Sequence, residues 1–228
     1  MKSEINPHSF IKGIFWLKEG NKSRLATLNM YPGVKVYGER LFTIDNKEYR
    51  QWDPYRSKFA AALLTGIKSD VQFENQRILY LGAASGTTCS HFSDIVRGGV
   101  IYCVEFARRS ARDLFDVCET RNNMIPILAD ARKPAEFATF VQSVDLIYQD
   151  LAQPDQSTIL SRNIQAFLKE GGIFILALKA RSIDVTQDPQ VVFQEQINVL
   201  EKEELKVKEV IDIDRYEKDH CLVIGERS

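Results

Sequence analysis

Five short apolar runs, each closing on a glycine, an acid or a lysine, constrain this chain more than any other feature. They read "ILYLG", "VIYCVEF", "MIPILAD", "VDLIYQD" and "IFILALK". Between them lie stretches of helical period: "TCSHFSDIV", "RRSARDLFDVCETR", "KPAEFATFV" and "QSTILSRNIQAFLKE". Strands apolar on both faces, alternating with amphipathic helices, require a parallel sheet covered on both sides. One more helix, "VVFQEQINVLEKEE", leads to "LKVKEVIDI" and "HCLVIGER". The link "DRYEKD" between these last two strands is too short for a crossover helix, so they pair antiparallel.

The first fifty residues have a different texture. "GIFWLKEG", "SRLATLNMY" and "KVYGERLFTID" are short, aromatic and β-branched, and turn signals stand at Gly20-Asn21, Pro32-Gly33 and Asp45-Asn46. "DPYRSKFAAALLTGI" then opens a helix, with Asp53 as its expected N-cap and Pro54 at its first position. Residues 1–52 read as a small β domain and residues 53–228 as the α/β domain. The 228 residues suffice for one large core plus such a module, and 44% hydrophobic with 27% charged residues is ordinary for a globular protein.

In an open α/β sheet the carboxyl ends of the parallel strands share one edge, where ligands bind. Gly82, Glu105, Asp130, Asp150 and Lys179 therefore converge although they are far apart in sequence. His220, which opens an antiparallel strand, joins the same edge. "GAASG" after the first strand is GxxxG, without the close-approach glycine of a pyrophosphate site. Glu105 can accept hydrogen bonds from both hydroxyls of a ribose. Asp130 can accept from an adenine amino group, with the Ala131 N–H beside it, and small residues (Ala83, Ala84, Ser85) admit a second moiety close to the backbone. Adenosine without a pyrophosphate points to S-adenosylmethionine.

Methyl transfer from a sulfonium is an in-line displacement that needs an aligned nucleophile and removal of its proton. A lysine serves as base when a second cation lowers its pKa. Lys179 and Lys58 form such a candidate pair, with Asp150 between them and His220 as a fourth polar group. Position alone leaves Lys58 equally at home as a solvated helix residue. Lys plus Arg number 30 against 31 acids, so no strong field draws this chain to nucleic acid by itself. Local basic positions (Arg108, Arg109 and Arg112, then Arg132, Lys133 and Arg181) are candidate phosphate contacts, though such charges are also ordinary on solvated helices. The four cysteines show neither CxxC nor a histidine at ligand spacing, so no metal is expected and a reducing compartment fits. The N-terminal "MKSEINPHSFIKGIFWLKEG" carries no continuous apolar segment, and a cytoplasmic location is expected.

"ILYLGAASGTTCSHFSDIV", "VEFARRSARDLFDVCETRNNMIPILADARKP", "VDLIYQDLAQPDQ", "ALKARSIDVTQDP", "YEKDHCLVI" and the upstream "WDPYRSKFAAALLTG" together resemble the fibrillarin family, over nearly the whole chain and least in residues 1–30. The size, without a Gly/Arg-rich domain, is similar to archaeal members. The resemblance implies a class I S-adenosylmethionine-dependent methyltransferase fold: Rossmann-like, a mostly parallel seven-stranded sheet with an antiparallel last strand. The implied activity is guide-RNA-directed ribose 2′-O-methylation of rRNA and tRNA in a box C/D ribonucleoprotein. The implied partners are guide RNA, a Nop-domain scaffold protein and a kink-turn-binding protein. A Lys-Asp-Lys-His tetrad falls on Lys58, Asp150, Lys179 and His220. Cofactor positions fall on Gly82, Ala84, Thr87, Thr88, Glu105, Phe106, Asp130, Ala131, Asp150 and Gln153. Cys89 and "ARRSAR" depart from the family pattern without touching the site. Three other readings compete. The first is a stand-alone small-molecule or other RNA methyltransferase, of which the small-molecule enzyme would usually carry an aromatic or apolar substrate lid; GAASG disfavours a nicotinamide oxidoreductase, and a non-catalytic scaffold would tolerate loss of the polar tetrad.

Overall fold

The computed structural model describes residues 3–228. Residues 3–52 form a five-stranded antiparallel sheet built from β1 (Ser3–Pro7), β2 (Ile14–Glu19), β3 (Lys22–Leu28), β4 (Leu41–Ile44) and β5 (Lys47–Trp52), in the order β1-β2-β3-β5-β4. The Asp45-Asn46 signal is a tight hairpin between β4 and β5, both residues taking positive φ (49° and 58°), as such a two-residue turn requires. β1 and β5 fall outside the three β-like runs of the sequence.

The second sheet has seven strands: β6 (Arg77–Leu81), β7 (Val100–Glu105), β8 (Met124–Leu128), β9 (Val144–Gln149), β10 (Leu168–Lys179), β11 (Leu205–Asp212) and β12 (His220–Arg227), ordered β11-β12-β10-β9-β6-β7-β8. β8, β7, β6, β9 and β10 run parallel. β12 runs antiparallel to both β10 and β11, so the short link does close a hairpin. Helices α1 (Lys58–Thr65), α2 (Thr87–Ile95), α3 (Arg108–Thr120), α4 (Gln156–Phe167), α5 (Ala180–Ile183) and α6 (Pro189–Lys202) complete the chain. Strand alternation explains the double cover. In β6, Ile78 and Tyr80 join α1 and α2 in one apolar cluster, while Leu79 and Leu81 join α4 and α6 in another. None of the helices among the described residues is long and apolar enough to cross a membrane.

Two sequence expectations change. The first helix is capped by Ser57, whose Oγ accepts from the Ala60 N–H, and it begins at Lys58 rather than Pro54. Asp53 instead accepts from the Tyr55 N–H in the preceding turn (2.9 Å), which holds the chain out of the helix. "KPAEFATFV" forms only a 3₁₀ turn, Pro134–Glu136, followed by further turns. Its apolar anchors are Phe137, stacked on Phe167, and Val141; two anchors do not require a continuing helix.

A buried ionic hub joins the five-stranded sheet to α2 and to the end of α3. Arg50 of β5 reaches Glu39 (2.7 Å) and Asp94 of α2 (2.9 Å), and Arg121, just after α3, reaches the other Asp94 oxygen at 2.8 Å. Thr27 and the Met30 N–H also donate to Asp94. The His91 ring stacks on Trp52 (centroids 4.7 Å apart) and bridges the hydroxyls of Thr27 and Tyr37, each at 2.8 Å. Burial, then the charges of Arg50 and Arg121, hold His91 well below the usual imidazole range, so it is a neutral packing group. This hub fixes α2, the helix that begins at the glycine-rich loop.

Candidate active site

The loop leaving β6 folds as it does because of its glycines and one acid. Gly82 has φ +82°, and a Cβ there would overlap the Asp150 carbonyl oxygen and lie 2.8 Å from Leu151 Cδ2. Only glycine lets the ends of β6 and β9 approach so closely. Ala84 also takes positive φ (49°), and the Glu105 carboxylate holds it there by accepting its N–H at 2.8 Å. The other Glu105 oxygen accepts from the Ala107 N–H at 2.7 Å. Glu105 is thus a clamp on two loops as well as an acid at the strand end.

These loops bound an open cleft of about 250 Å³ over the ends of β6, β7, β8 and β9. Gly82, Ala84, Glu105, Phe106, Asp130, Ala131, Asp150 and Gln153 all line it. Thr87 and Thr88 do not; Thr88 is buried and donates to Ser57 Oγ (3.1 Å), tying α2 to the cap of α1. Phe106 presents a ring that is 65% exposed at the rim, and Ile159 and Leu151 supply an apolar wall that the sequence reading did not name. Three carboxylates (Glu105, Asp130, Asp150) face the cleft against one guanidinium, Arg132. That balance repels a pyrophosphate and suits a sulfonium cation, and the exposed ring suits an adenine face, so S-adenosylmethionine fits this donor set. Arg132 forks onto both oxygens of Asp130 and lowers its pKa.

Beside the cleft, Lys58 at the first turn of α1 meets Asp150 at the end of β9, Nζ to Oδ2, at 3.0 Å. Both are partly buried, at 18% and 26% side-chain exposure, so this pair is less screened than a surface pair. Lys179 ends β10 directly opposite His220 of β12, which puts both side chains on one face of the sheet. Among the described residues the Lys179 ammonium has no carboxylate partner within 4.0 Å. His220 is 3% exposed and its Nδ1–H donates to the Lys218 carbonyl (2.7 Å). Its Nε2 therefore keeps its lone pair, and among the described residues nothing bonds to it. Burial first, then Lys58, lower the His220 pKa despite the bond to Lys218, which keeps the ring neutral.

Two buried glutamines hold this edge, and no sequence signal marked them beyond the motif that contains them. Gln156 accepts from the Lys179 N–H (3.1 Å) and donates to the Gln153 and Lys179 carbonyls. Gln149 donates to the Gln156 carbonyl at 2.7 Å. Of the basic candidates, Arg108, Arg109 and Arg112 are exposed on α3. Arg132, Lys133 and Arg181 are paired with Asp130, Glu136 and Asp219. Asp184 braces its own loop: the Thr186 hydroxyl and N–H and the Gln187 amide hold it at about 2.

The fibrillarin family model matches residues 5–228. A fibrillarin-like rRNA/tRNA 2′-O-methyltransferase of Methanopyrus kandleri is 50% identical over 98% of this chain and 97% of its own length. The crystal structure of Aeropyrum pernix fibrillarin with natively bound S-adenosyl-L-methionine superposes with a TM-score of 0.91 at 45% identity, covering 98% of this chain and 99% of that one. The fibrillarin chain of a fibrillarin/Nop5p complex gives 0.86 at 40% identity, covering 97% and 100%.

Proposed function

Because the chain belongs to the fibrillarin family, we propose that it methylates the ribose 2′-hydroxyl of rRNA and tRNA, using S-adenosylmethionine, at positions chosen by a guide RNA. The observation that carries this reading is the adjacency, across Asp150, of an acid-lined cleft and a cluster of two lysines and a neutral histidine. The relatives' names and the bound cofactor of the Aeropyrum pernix structure support the reaction and the cofactor. The complex with Nop5p supports a Nop-domain scaffold partner. The near-balance of charge supports delivery of RNA within a box C/D particle, by guide pairing and by partners including a kink-turn-binding protein. Such a particle would work in the cytoplasm. Residues 1–52 would serve as the accessory β domain and 53–228 as the catalytic domain.

Bound S-adenosylmethionine supplies an electrophilic methyl group on a positive sulfur. Glu105 and Asp130 would hold the adenosine by its ribose hydroxyls and amino group, with Phe106 against the base and Ala131 donating its N–H. Gly82, Ala84 and Gln153 would shape the remainder, and Thr87 and Thr88, which do not line the cleft, would hold the start of α2 behind it. Asp150 fixes Lys58, and that pairing leaves Lys179 as the cation available to the acceptor hydroxyl. The hydroxyl proton leaves toward this cluster, where His220 Nε2 stands as a buried lone pair. Arg108 and Arg109 would meet RNA phosphates at the α3 rim, aided by Arg132, Lys133 and Arg181 as their acid partners release them.

The test is transfer of labelled methyl in a complex reconstituted with guide RNA, partner proteins and a matched target. Wild type should label the target and lose that label on a 2′-deoxy nucleotide, since only that hydroxyl differs. Lys179→Ala should retain cofactor affinity and lose transfer. Labelling of the 2′-deoxy target would overturn the reaction assignment, and wild-type turnover by Lys179→Ala would overturn the tetrad.

A further inference from the structure

β9 and β10 run side by side only as far as Gln149 opposite Leu176. β9 then turns away at Asp150, while β10 continues to Lys179 with β12 alone beside it. Along that last stretch the backbone groups of successive residues alternate between the two sides. The Ala180 N–H turns to the Asp219 carbonyl on the β12 side (3.1 Å). The N–H and C=O of Lys179, one residue earlier, therefore face the side that β9 has left. Without a substitute for the departed strand, two buried backbone groups would lack partners.

The side chain of Gln156 is that substitute. Its Oε1 accepts from the Lys179 N–H at 3.1 Å, and its Nε2 donates to the Lys179 carbonyl at 3.3 Å. This uses one of the two N–H bonds of the amide. The other goes to the Gln153 carbonyl at 2.8 Å, in the Asp150-to-Gln153 loop that walls the cleft. Reversing the amide would set its NH2 against the Lys179 N–H, so the bonds themselves fix its orientation. Gln156 is fully buried at the start of α4, and the Gln149 amide donates to its backbone carbonyl at 2.7 Å. Closing the sheet needs only the two bonds to Lys179. The third bond joins the wall of the cofactor cleft to the backbone of the lysine beside it.

We propose that Gln156 is a positioning residue that couples the placement of Lys179 to occupancy of the cofactor cleft. S-adenosylmethionine against the Gln153 wall steadies the Gln156 amide, and the amide steadies the end of β10. The inference rests on the methyl-transfer reading above, in which Lys179 faces the acceptor hydroxyl. In-line displacement tolerates little misalignment, and about 1 Å costs about a hundredfold in rate. The cleft wall places the methyl group and Lys179 places the hydroxyl, so a bond common to both supports holds their separation. Gln156 touches neither reactant and acts through Gln153 and Lys179.

Amide hydrogen exchange at Lys179 in the full chain reads the coupling with no methyl transfer involved. With S-adenosylmethionine at about 100 times its dissociation constant, an opening that must wait for cofactor release slows by up to about a hundredfold. In wild type the cofactor should therefore slow exchange of the Lys179 N–H by at least about tenfold. Gln156→Met keeps the length of the side chain and none of its bonds, so that exchange should be fast with or without cofactor. In the reconstituted complex this variant should lose about a hundredfold in single-turnover transfer. Its cofactor affinity, which Glu105 and Asp130 would set from other strands, should change by less than about threefold. Gln156→Glu is the second variant, and it stands even where Gln156→Met does not fold. Protonated, its carboxyl keeps the acceptor for the Lys179 N–H and one donor; ionised, it turns bare oxygens toward two carbonyls. Its transfer rate relative to wild type should fall as pH rises, a ratio from which the shared titrations of Lys58, Asp150, Lys179 and His220 cancel. Lys179 exchange indifferent to cofactor in wild type, or a cofactor effect that survives in Gln156→Met, would overturn the coupling. Equal losses of affinity and transfer in Gln156→Met, or a flat pH ratio in Gln156→Glu, would overturn it too. Lys179→Ala keeps its backbone N–H, so it should retain the cofactor-dependent exchange while failing to transfer. Transfer by that variant removes the tetrad and leaves exchange at residue 179 to judge the coupling alone.

Discussion

Replacing Asp94 with Asn should unfold this protein more readily than removal of any surface acid. Arg50, Glu39, Asp94 and Arg121 have side-chain exposures of 0%, 1%, 0% and 0%, two cations balanced by two anions. In Asp94→Asn, Arg50 keeps Glu39, but Arg121 is left buried without any carboxylate. An uncompensated buried charge of this kind costs about 3–5 kcal/mol. For a chain of this size each kcal/mol moves the melting temperature by about 2–4 °C, so the fall should be about 6–20 °C. Urea unfolding of the free chain, followed by circular dichroism, reads the first figure and a thermal melt reads the second. Adding Arg121→Met should recover part of the loss, because it removes the stranded charge. Lys133→Gln, which breaks the exposed pair with Glu136, should leave the midpoint unchanged within error. A loss below about 1 kcal/mol in Asp94→Asn, the range of a solvated pair, would refute the reasoning.

Three further outcomes follow from the same structure. The native His91 ring stays neutral while the unfolded ring gains a proton below about pH 6.5. Stability is therefore full above that pH and falls by about 1.4 kcal/mol per unit below it; His91→Asn should lack this component, and equal pH slopes in the two proteins would exclude it. Gly82→Ala combines a positive φ with overlap on the Asp150 carbonyl, displacing β9 at the cleft, and should weaken cofactor binding by at least about tenfold in calorimetry. Gly38→Ala, at similar φ with nothing within 4 Å, should cost stability alone; equal effects on binding would remove the close-approach argument. Phe106→Ala should raise the cofactor dissociation constant by about tenfold with little change in melting temperature, and an unchanged constant would take the ring out of the site.

The parallel sheet, its antiparallel last pair and the residues at its edge were legible because each rests on a local signal. Continuous apolar runs declare buried strands, and a short link forbids a crossover. The residues that close those runs must lie together once the strands are parallel, which is why Glu105, Asp130, Asp150, Lys179 and His220 could be gathered without coordinates. Residue type alone also brought out the glycine-rich turn at Gly82 and a turn at Asp45-Asn46, though not the strand β5 that makes the latter a hairpin.

Other features depended on contacts between segments remote in sequence. Whether the first helix starts at Pro54 or Lys58 depended on two competing polar side chains, Asp53 and Ser57, each of which can satisfy free N–H groups. "KPAEFATFV" has a helical spacing of apolar residues, but packing of Phe137 on Phe167 uses only one turn of it. Arg50, Asp94 and Arg121 look like surface charges in the sequence, since a charge is buried only when its partners arrive from other elements. The different settings of Lys58, Lys179 and His220 are likewise tertiary: they turn on which ammonium Asp150 reaches and on the carbonyl of Lys218 that fixes the imidazole tautomer. The bonds from the Gln156 amide to Lys179 are of the same kind. Periodicity and residue type act within one segment, so they determined the framework; distance and burial act between segments, so they determined which side chains are left with work to do.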